Sequence, residues 1–274
     1  ALTGVTTTKD FHYTGGRGIT IKAKKAVILA CGGYENNPEM LHNWSPHPHS
    51  AFVTFYGSPY STGDGVTMAT KVGAKLWHLN KTESHSFATT VGSKELGVGR
   101  TVNAWAERIA YGPGILVNRD GKRFMREYFN GGHSDTHRAY HEFEHQHLPG
   151  DDYEYCDYRN TPFFWIFDDT TMKAGRLGRT GQFAGVFNIW DWTQDNLAEL
   201  AKGWFIKADT IEALGKKIVV KDFFGRVVGM DAAGLVATVH RYNNMCINGE
   251  DLDFGRKPAT MLPIKTPPFY AMEM

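Results

Sequence analysis

Residues 141–145 read His-Glu-Phe-Glu-His, and His147 follows two positions later. On a helix, histidines four apart share one face, where they could hold zinc while Glu142 takes a proton from metal-bound water. The surroundings speak against a peptidase. LPGDD begins at Leu148 and leaves little helix after the second histidine, and no glycine-and-histidine continuation follows. A solvated helix of mixed charge is the expected structure, with no metal. Bare backbone offers a second chemistry. In AVILACGGYENN an apolar run ends at Ala30 and Cys31 in the pair Gly32 and Gly33. In STGDGVTMATKVGA, Thr62, Gly63, Asp64 and Gly65 open a helix-like segment. Turns poor in Cβ atoms let main-chain N–H groups approach an anion or an electron-rich ring edge. The plainer readings are a glycine pair that simply ends a strand, and Asp64 as a helix N-cap.

Composition narrows the classes. The chain has 274 residues, 42% hydrophobic and 22% charged, as in ordinary soluble domains. A net charge of +1 gives no reason to expect nucleic acid or an anionic membrane surface. No apolar run approaches the ~20 residues that span a bilayer. The first residues, ALTGVTTTKDF, lack the basic-then-apolar pattern of a leader. Three cysteines without a CxxC spacing argue against a disulfide framework and a cysteine-rich zinc site. Neither GxGxxG nor GxxxxGK[ST] occurs, so the two usual phosphate cradles are absent from this sequence. Thirty glycines and 13% aromatics suit tight turns around a flat ligand, and equally a loop-rich core.

The elements that must position these residues follow from patterning. Residues 5–13 and 19–23 read as strands joined by the turn TGGRG. Residues 26–30 form a continuously apolar strand. Thr62 and Asp64 cap a helix with Val66, Ala69 and Val72 at helical spacing; Gly73 stops it, and residues 74–79 form another strand. Beyond residue 83 short strands such as GILVN and FFWIFDD alternate with amphipathic segments at 192–201 and 211–218. Residues 231–246 form a longer helix with Leu235, Val236, Val239, Tyr242 and Met245 on one side. The fold class expected is α/β with a mixed α+β insert, followed by a short tail, PPFYAMEM.

In this order AVILACGGYENN, STGDGVTMATKVGA, GILVNRDGKRF, FFWIFDD, GWFIKADTIEALGKKI, VHRYNNMCINGEDLDFGR and PPFYAME resemble the flavoprotein family of soluble fumarate reductases, urocanate reductases and 3-ketosteroid dehydrogenases. The resemblance runs from about residue 19 to the end. It implies FAD as cofactor, lying against Ala30, Cys31, Gly32 and Gly33 and against Thr62, Gly63, Asp64 and Gly65. It also implies a Rossmann-like FAD-binding domain in part (residues 1–82), a capping domain (83–265) and a return to the FAD domain (266–274). The family's GxGxxG unit is expected upstream of Ala1, and its last substrate and FAD contacts beyond Met274. The chain is therefore expected to be an internal fragment, inactive alone.

The implied reaction is hydride transfer between FAD and an activated C=C or CH–CH bond of a small unsaturated substrate, with a proton exchanged at the neighbouring carbon. His85 matches the family's substrate-binding histidine, although Ser86 stands where proline is usual. Glu107 falls on a family glutamate. The arginine three residues later is Ala110 here, and Arg108 is the available substitute, although adjacent positions do not point the same way. The proton-donating arginine is replaced by Gly131, which leaves Tyr128, His133 or Arg138, with Tyr128 first. These replacements argue against fumarate and for a larger cyclic or aromatic enone or enoate. The resemblance further implies a cytochrome as one possible electron donor. The compartment, cytoplasmic or exported, stays open. A non-catalytic ligand- or partner-binding module is the alternative reading.

Overall fold

Apolar runs and their punctuation account for most of the elements seen, and for two of the differences. The structure, a computed structural model, describes residues 6–7, 13–14, 22–44, 60–79, 114–127, 143–147, 154–158, 160, 162–178, 191–221 and 227–273. The chain divides into two compact units, Ala1–Cys31 and Gly32–Met274. In the first, β1 (Thr6–Thr7) and β2 (Tyr13–Thr14) pair antiparallel, with Thr6 opposite Thr14. The stretch 5–13 expected to be one strand therefore supplies residues to both strands of the pair, and TGGRG, which begins at Thr14 of β2, is not the turn of this hairpin. Residues 26–30 are not a strand either. Val27, Ile28 and Leu29 are 74%, 89% and 45% exposed, and a run apolar on every position forms a strand only when neighbours cover both faces.

The second unit opens with two short helices, α1 (Pro38–Trp44) and α2 (Asp64–Lys71). Residues 74–79 stay outside any strand, with Trp77 82% exposed and stacked on His78. Next come β3 (Ile115–Val117), β4 (Phe143–His147), β5 (Glu154–Tyr158) and β6 (Phe164–Asp168). Two helices follow, α3 (Asp169–Lys173) and α4 (Leu197–Ala201), then β7 (Ile206–Ala208) and α5 (Ile211–Lys217). A small hairpin pairs β8 (Val219–Lys221) with β9 (Val227–Gly229), ahead of α6 (Ala232–Asn248) and β10 (Phe269–Glu273).

The organising layer is a four-stranded antiparallel sheet in the order β3-β6-β10-β7. Strand alternation sends side chains to opposite faces, and here both faces are buried. On one, Ile115, Val117, Phe164, Ile166 and Ala271 meet Leu214, Leu235, Val239 and Tyr242 of α5 and α6. On the other, Leu116, Trp165, Phe167, Tyr270 and Met272 meet Met172, Trp192, Trp204 and Phe205. That double burial explains why β6 is apolar at every position from Phe164 to Phe167. The Asp168 carboxylate then ends the strand. It accepts from Thr171 N at 3.3 Å as the α3 cap, and from Lys265 N and Thr266 N at 3.0 and 2.9 Å.

The tail is not peripheral: β10 lies between β6 and β7 and is 0–9% exposed from Phe269 to Met272. Helix α6 is capped by Asp231, whose Oδ1 accepts from Gly234 N at 3.0 Å, and it ends at Gly249 with φ +71°. Four of the five residues expected on its apolar side are buried. Val236 is 40% exposed, because it lies about 100° round the helix from Leu235.

Gly121, at φ +67°, turns the chain after β3 where a Cβ would lie 2.8 Å from the Asp231 carbonyl oxygen and against the Leu235 amide nitrogen. Neither is a flexible side-chain end. Gly121→Ala is expected to lose about 1–2 kcal/mol to the left-handed backbone and about 1–3 kcal/mol to overpacking, read by urea unfolding. A loss below half a kcal/mol would show that the turn opens without cost.

Candidate flavin cradle and the buried ion cluster

Two Cβ-poor bends 30 residues apart in sequence meet. Gly63 N donates to the Gly33 carbonyl at 2.9 Å, and Asn36 N donates to the Ser61 carbonyl at 3.0 Å. Asn37 fastens them a third time. Its Nδ2 donates to the Thr62 carbonyl at 2.8 Å while its Oδ1 accepts from Met40 N at 3.0 Å, which caps α1. Tyr34, beside the glycine pair, donates from its hydroxyl to the Leu79 carbonyl at 2.7 Å and sets its ring edge-on to Trp44. Burial, and then the Glu35 charge, raise its pKa and hold the phenol neutral as a donor.

Gly32 and Gly63 both adopt left-handed backbone, at φ +78° and +83°. A Cβ on Gly32 would lie 2.8 Å from Ser61 Oγ, and one on Gly63 would run into the Met40 side chain and come within 3.1 Å of Tyr34 Cβ. The missing side chains at these two positions therefore serve, first, the packing of one bend on the other. The cap of α2 also differs from expectation. Gly63 holds the cap position and no side chain caps the helix, so Thr62 and Asp64 are not its caps. Asp64 is the first helical residue, and its carboxylate accepts the Thr62 hydroxyl at 3.3 Å. The first-turn amides, with the positive end of the helix dipole, keep no side-chain acceptor of their own. Such a donor set fits the oxygen- and nitrogen-rich edge of a flavin.

The other expected contacts are distributed as follows. Ala30 and Cys31 belong to the first unit and are exposed. Gly65 lies in the first turn of α2. His85, Glu107, Arg108 and Tyr128 lie outside the described residues, as do the alternatives Gly131, His133 and Arg138. The expected histidine-bearing helix is corrected. Phe143–His147 is strand β4, paired with β5 so that His145 stands opposite Cys156 and His147 opposite Glu154. His141 and Glu142 lie outside the described residues, and the rest of the motif, Phe143, Glu144 and His145, is extended rather than helical. Among the described residues no trio of His, Cys, Asp or Glu is grouped to hold a metal, and no helix is long and apolar enough to cross a membrane.

One cluster was not anticipated. Arg123 grips Glu127 twice, Nε to Oε1 and Nη2 to Oε2 at 2.7 Å each, and grips Asp251 twice at 3.1 and 2.9 Å. Arg256 Nη1 reaches Glu127 Oε2 at 3.3 Å and the Gly114 carbonyl at 2.8 Å. The Leu116 amide also donates to Glu127, at 3.3 Å. These side chains are 0–3% exposed, and the Tyr242 ring lies 5.0 Å from the Arg123 guanidinium. Burial alone would lower the Arg123 pKa, but Glu127 and Asp251 more than offset it and raise it. Burial pushes Asp251 up, and the Arg123 bonds pull it below its ordinary value. The signal was in plain view: Arg123 sits in GKRF and Asp251 and Arg256 in GEDLDFGR, two of the stretches that carry the resemblance.

Comparison with known families decides the membership, since the model described as FAD binding domain matches residues 1–274. This chain belongs to that family. FAD is the cofactor of this FAD-binding family, and the joined bends are where its flavin contacts were expected. The 4-oxocyclohexanecarboxylate 2-dehydrogenase of Sinomonas cyclohexanicum is 27% identical, over 94% of this chain and 41% of that protein. The 3-oxosteroid 1-dehydrogenase of Mycobacterium tuberculosis is 31% identical, over 86% of this chain and 36% of that protein. The fold is similar to a crystal structure of 3-ketosteroid delta1-dehydrogenase from Sterolibacterium denitrificans in complex with 1,4-androstadiene-3,17-dione. There the TM-score is 0.60 at 22% identity, covering 98% of this chain and 45% of that one. This FAD-binding chain thus spans about two fifths of the length of the relatives it matches.

Proposed function

We propose that this chain is part of an FAD-dependent oxidoreductase acting on the carbon–carbon bond beside the carbonyl of a ring ketone. The observation that carries the reading is the junction of the two bends, Gly63 N to Gly33 O, on a chain that belongs to the FAD-binding family. In this reading residues 1–82 contribute to the FAD domain and residues 83–265 to the cap. The substrate class rests on the relatives: their names specify cyclohexane and steroid rings bearing a ketone.

Bound FAD supplies the hydride chemistry. The chain's own groups do the rest. His85 donates to the carbonyl oxygen, where negative charge develops as the bond pattern changes. Tyr128 holds the proton that leaves or joins the carbon next to that carbonyl. Glu107 and Arg108 orient the substrate. A closed cap excludes water, so the hydride is not lost to solvent protons.

The test uses the FAD-loaded full-length protein that contains this chain, under anaerobic conditions. Oxidised flavin is expected to bleach with 4-oxocyclohexanecarboxylate, or reduced flavin to recover its colour with 1,4-androstadiene-3,17-dione, while fumarate does neither. His85→Ala and Glu107→Gln are each expected to slow the active direction by roughly 10²-fold. A flavin that responds to fumarate and to neither ring ketone would overturn the substrate class. Wild-type rates in both variants would remove the two residues from the site.

A further inference from the structure

Both chain segments that carry the proposed catalytic groups are tied, at their described ends, to one buried guanidinium. Glu107 and Arg108 precede, in sequence, Gly114, whose carbonyl accepts from Arg256 Nη1 at 2.8 Å. Tyr128 directly follows Glu127, whose Oε2 accepts from the same nitrogen at 3.3 Å. Arg256 is itself immobilised. Its backbone N–H donates to Asp251 Oδ2 at 3.2 Å, Nη2 donates to the Thr260 carbonyl, and Nε reaches Thr260 Oγ1 at 3.3 Å. Its side chain is 1% exposed. Glu127 also accepts from the Leu116 amide, so the same carboxylate holds the strand that Gly114 begins.

Cohesion alone would not need this arrangement. Replacing a buried ion cluster by apolar groups of similar volume is often neutral or stabilising, and the two core clusters around the sheet are built of aliphatic, aromatic and methionine side chains. What a forked, planar cation adds is direction, because it fixes a carbonyl and a carboxylate at set angles to each other. We propose that Arg256 is a positioning residue, fixing the exit of the segment bearing Glu107 and Arg108 relative to the exit of the segment bearing Tyr128. It touches neither substrate nor flavin. This inference rests on the proposed function for the identity of the groups positioned.

The experiment compares Arg256→Lys and Arg256→Met with wild type in FAD-loaded protein, scoring flavin content, thermal midpoint and turnover per bound flavin on the two ring ketones. Lysine keeps the charge and loses the fork; methionine keeps most of the apolar volume. Misplacement of about 1 Å costs about 10²-fold in rate. Both variants are therefore expected to lose kcat per bound flavin by that order, with KM changed by less than about threefold. A cluster that serves stability only would lower flavin content and thermal midpoint and leave kcat per bound flavin at the wild-type value, which overturns the proposal. If Arg256→Met does not fold, Arg256→Lys together with Glu127→Gln, the isosteric change at the shared carboxylate, decides by the same ratio.

Amide hydrogen exchange supplies the arm that is independent of activity. Exchange in 105–113 and 128–134 is expected to rise about tenfold in the lysine variant, while residues 211–217 keep theirs. Unchanged exchange in both flanking segments overturns the proposal. Wild-type protein that binds FAD and reacts with neither ketone refutes the proposed function instead, and leaves the exchange result to judge Arg256.

Discussion

Arg123→Ala lowers the unfolding free energy by about 3–5 kcal/mol, the usual cost of leaving buried charges without their partner. Two carboxylates lose it at once. Glu127 and Asp251 are each held by two nitrogens of that guanidinium, and their side chains are 1% and 0% exposed. Urea unfolding at neutral pH measures the loss, and a change below about 1 kcal/mol, the value of an exposed pair, would mean that the cluster is solvated.

The pH dependence has a definite sign. The folded-state pKa of Asp251 lies below its ordinary value of 3.8, so its contribution is fully present above that value. It is lost as pH falls through the folded-state pKa. The gap between wild type and Arg123→Ala is therefore expected to narrow as the solution is acidified, and wild type loses the Asp251 contribution below about pH 4. A gap that widens in acid would reverse the assignment of which group the arginine supports.

Gly63→Val is expected to weaken flavin binding at the proposed cradle. Valine at φ +83° carries the left-handed penalty of about 1–2 kcal/mol. Its Cβ also runs into the Met40 side chain and toward Tyr34 Cβ. The end of Met40 can swing aside, but Tyr34 Cβ lies 3.1 Å away, so the branched side chain pushes the start of α2 from the Gly33 bend and strains the bond from Gly63 N to Gly33 O. The dissociation constant for FAD is expected to rise at least tenfold, since about 1.4 kcal/mol is tenfold in affinity. Flavin fluorescence during dilution measures it. Gly73→Ala is the control: Gly73 has φ +92°, but a Cβ there meets nothing within 4 Å. That variant carries the backbone penalty and keeps its flavin. Equal flavin retention in both variants would separate the bend from the cofactor.

The glycine bends were legible because bare backbone and helix spacing are local features. So were α5 and α6, where Thr210 and Asp231 cap amphipathic segments and Leu235, Val239, Tyr242 and Met245 repeat along one stripe. What misled was patterning that local rules leave ambiguous. Histidines four apart suit one face of a helix, but β4 pairs across a ribbon with β5, and partner strands are not written in the segment itself. Likewise PPFYAMEM reads as a short tail. It becomes an interior strand because β6 and β7 offer it two free edges at once.

The sequence by itself determined the family, through the order and spacing of its motifs, and with the family the cofactor. It also determined the helices whose caps and apolar stripes lie within a few residues of each other. The tertiary structure alone decided that Gly33 meets Gly63, that Gly63 rather than Thr62 or Asp64 caps α2, and that Arg123 and Arg256 share Glu127. The decisive contacts join positions far apart in sequence: Arg256 is 129 residues from Glu127 and 142 from Gly114. Only the folded chain brings such groups together, and only burial makes their hydrogen bonds obligatory.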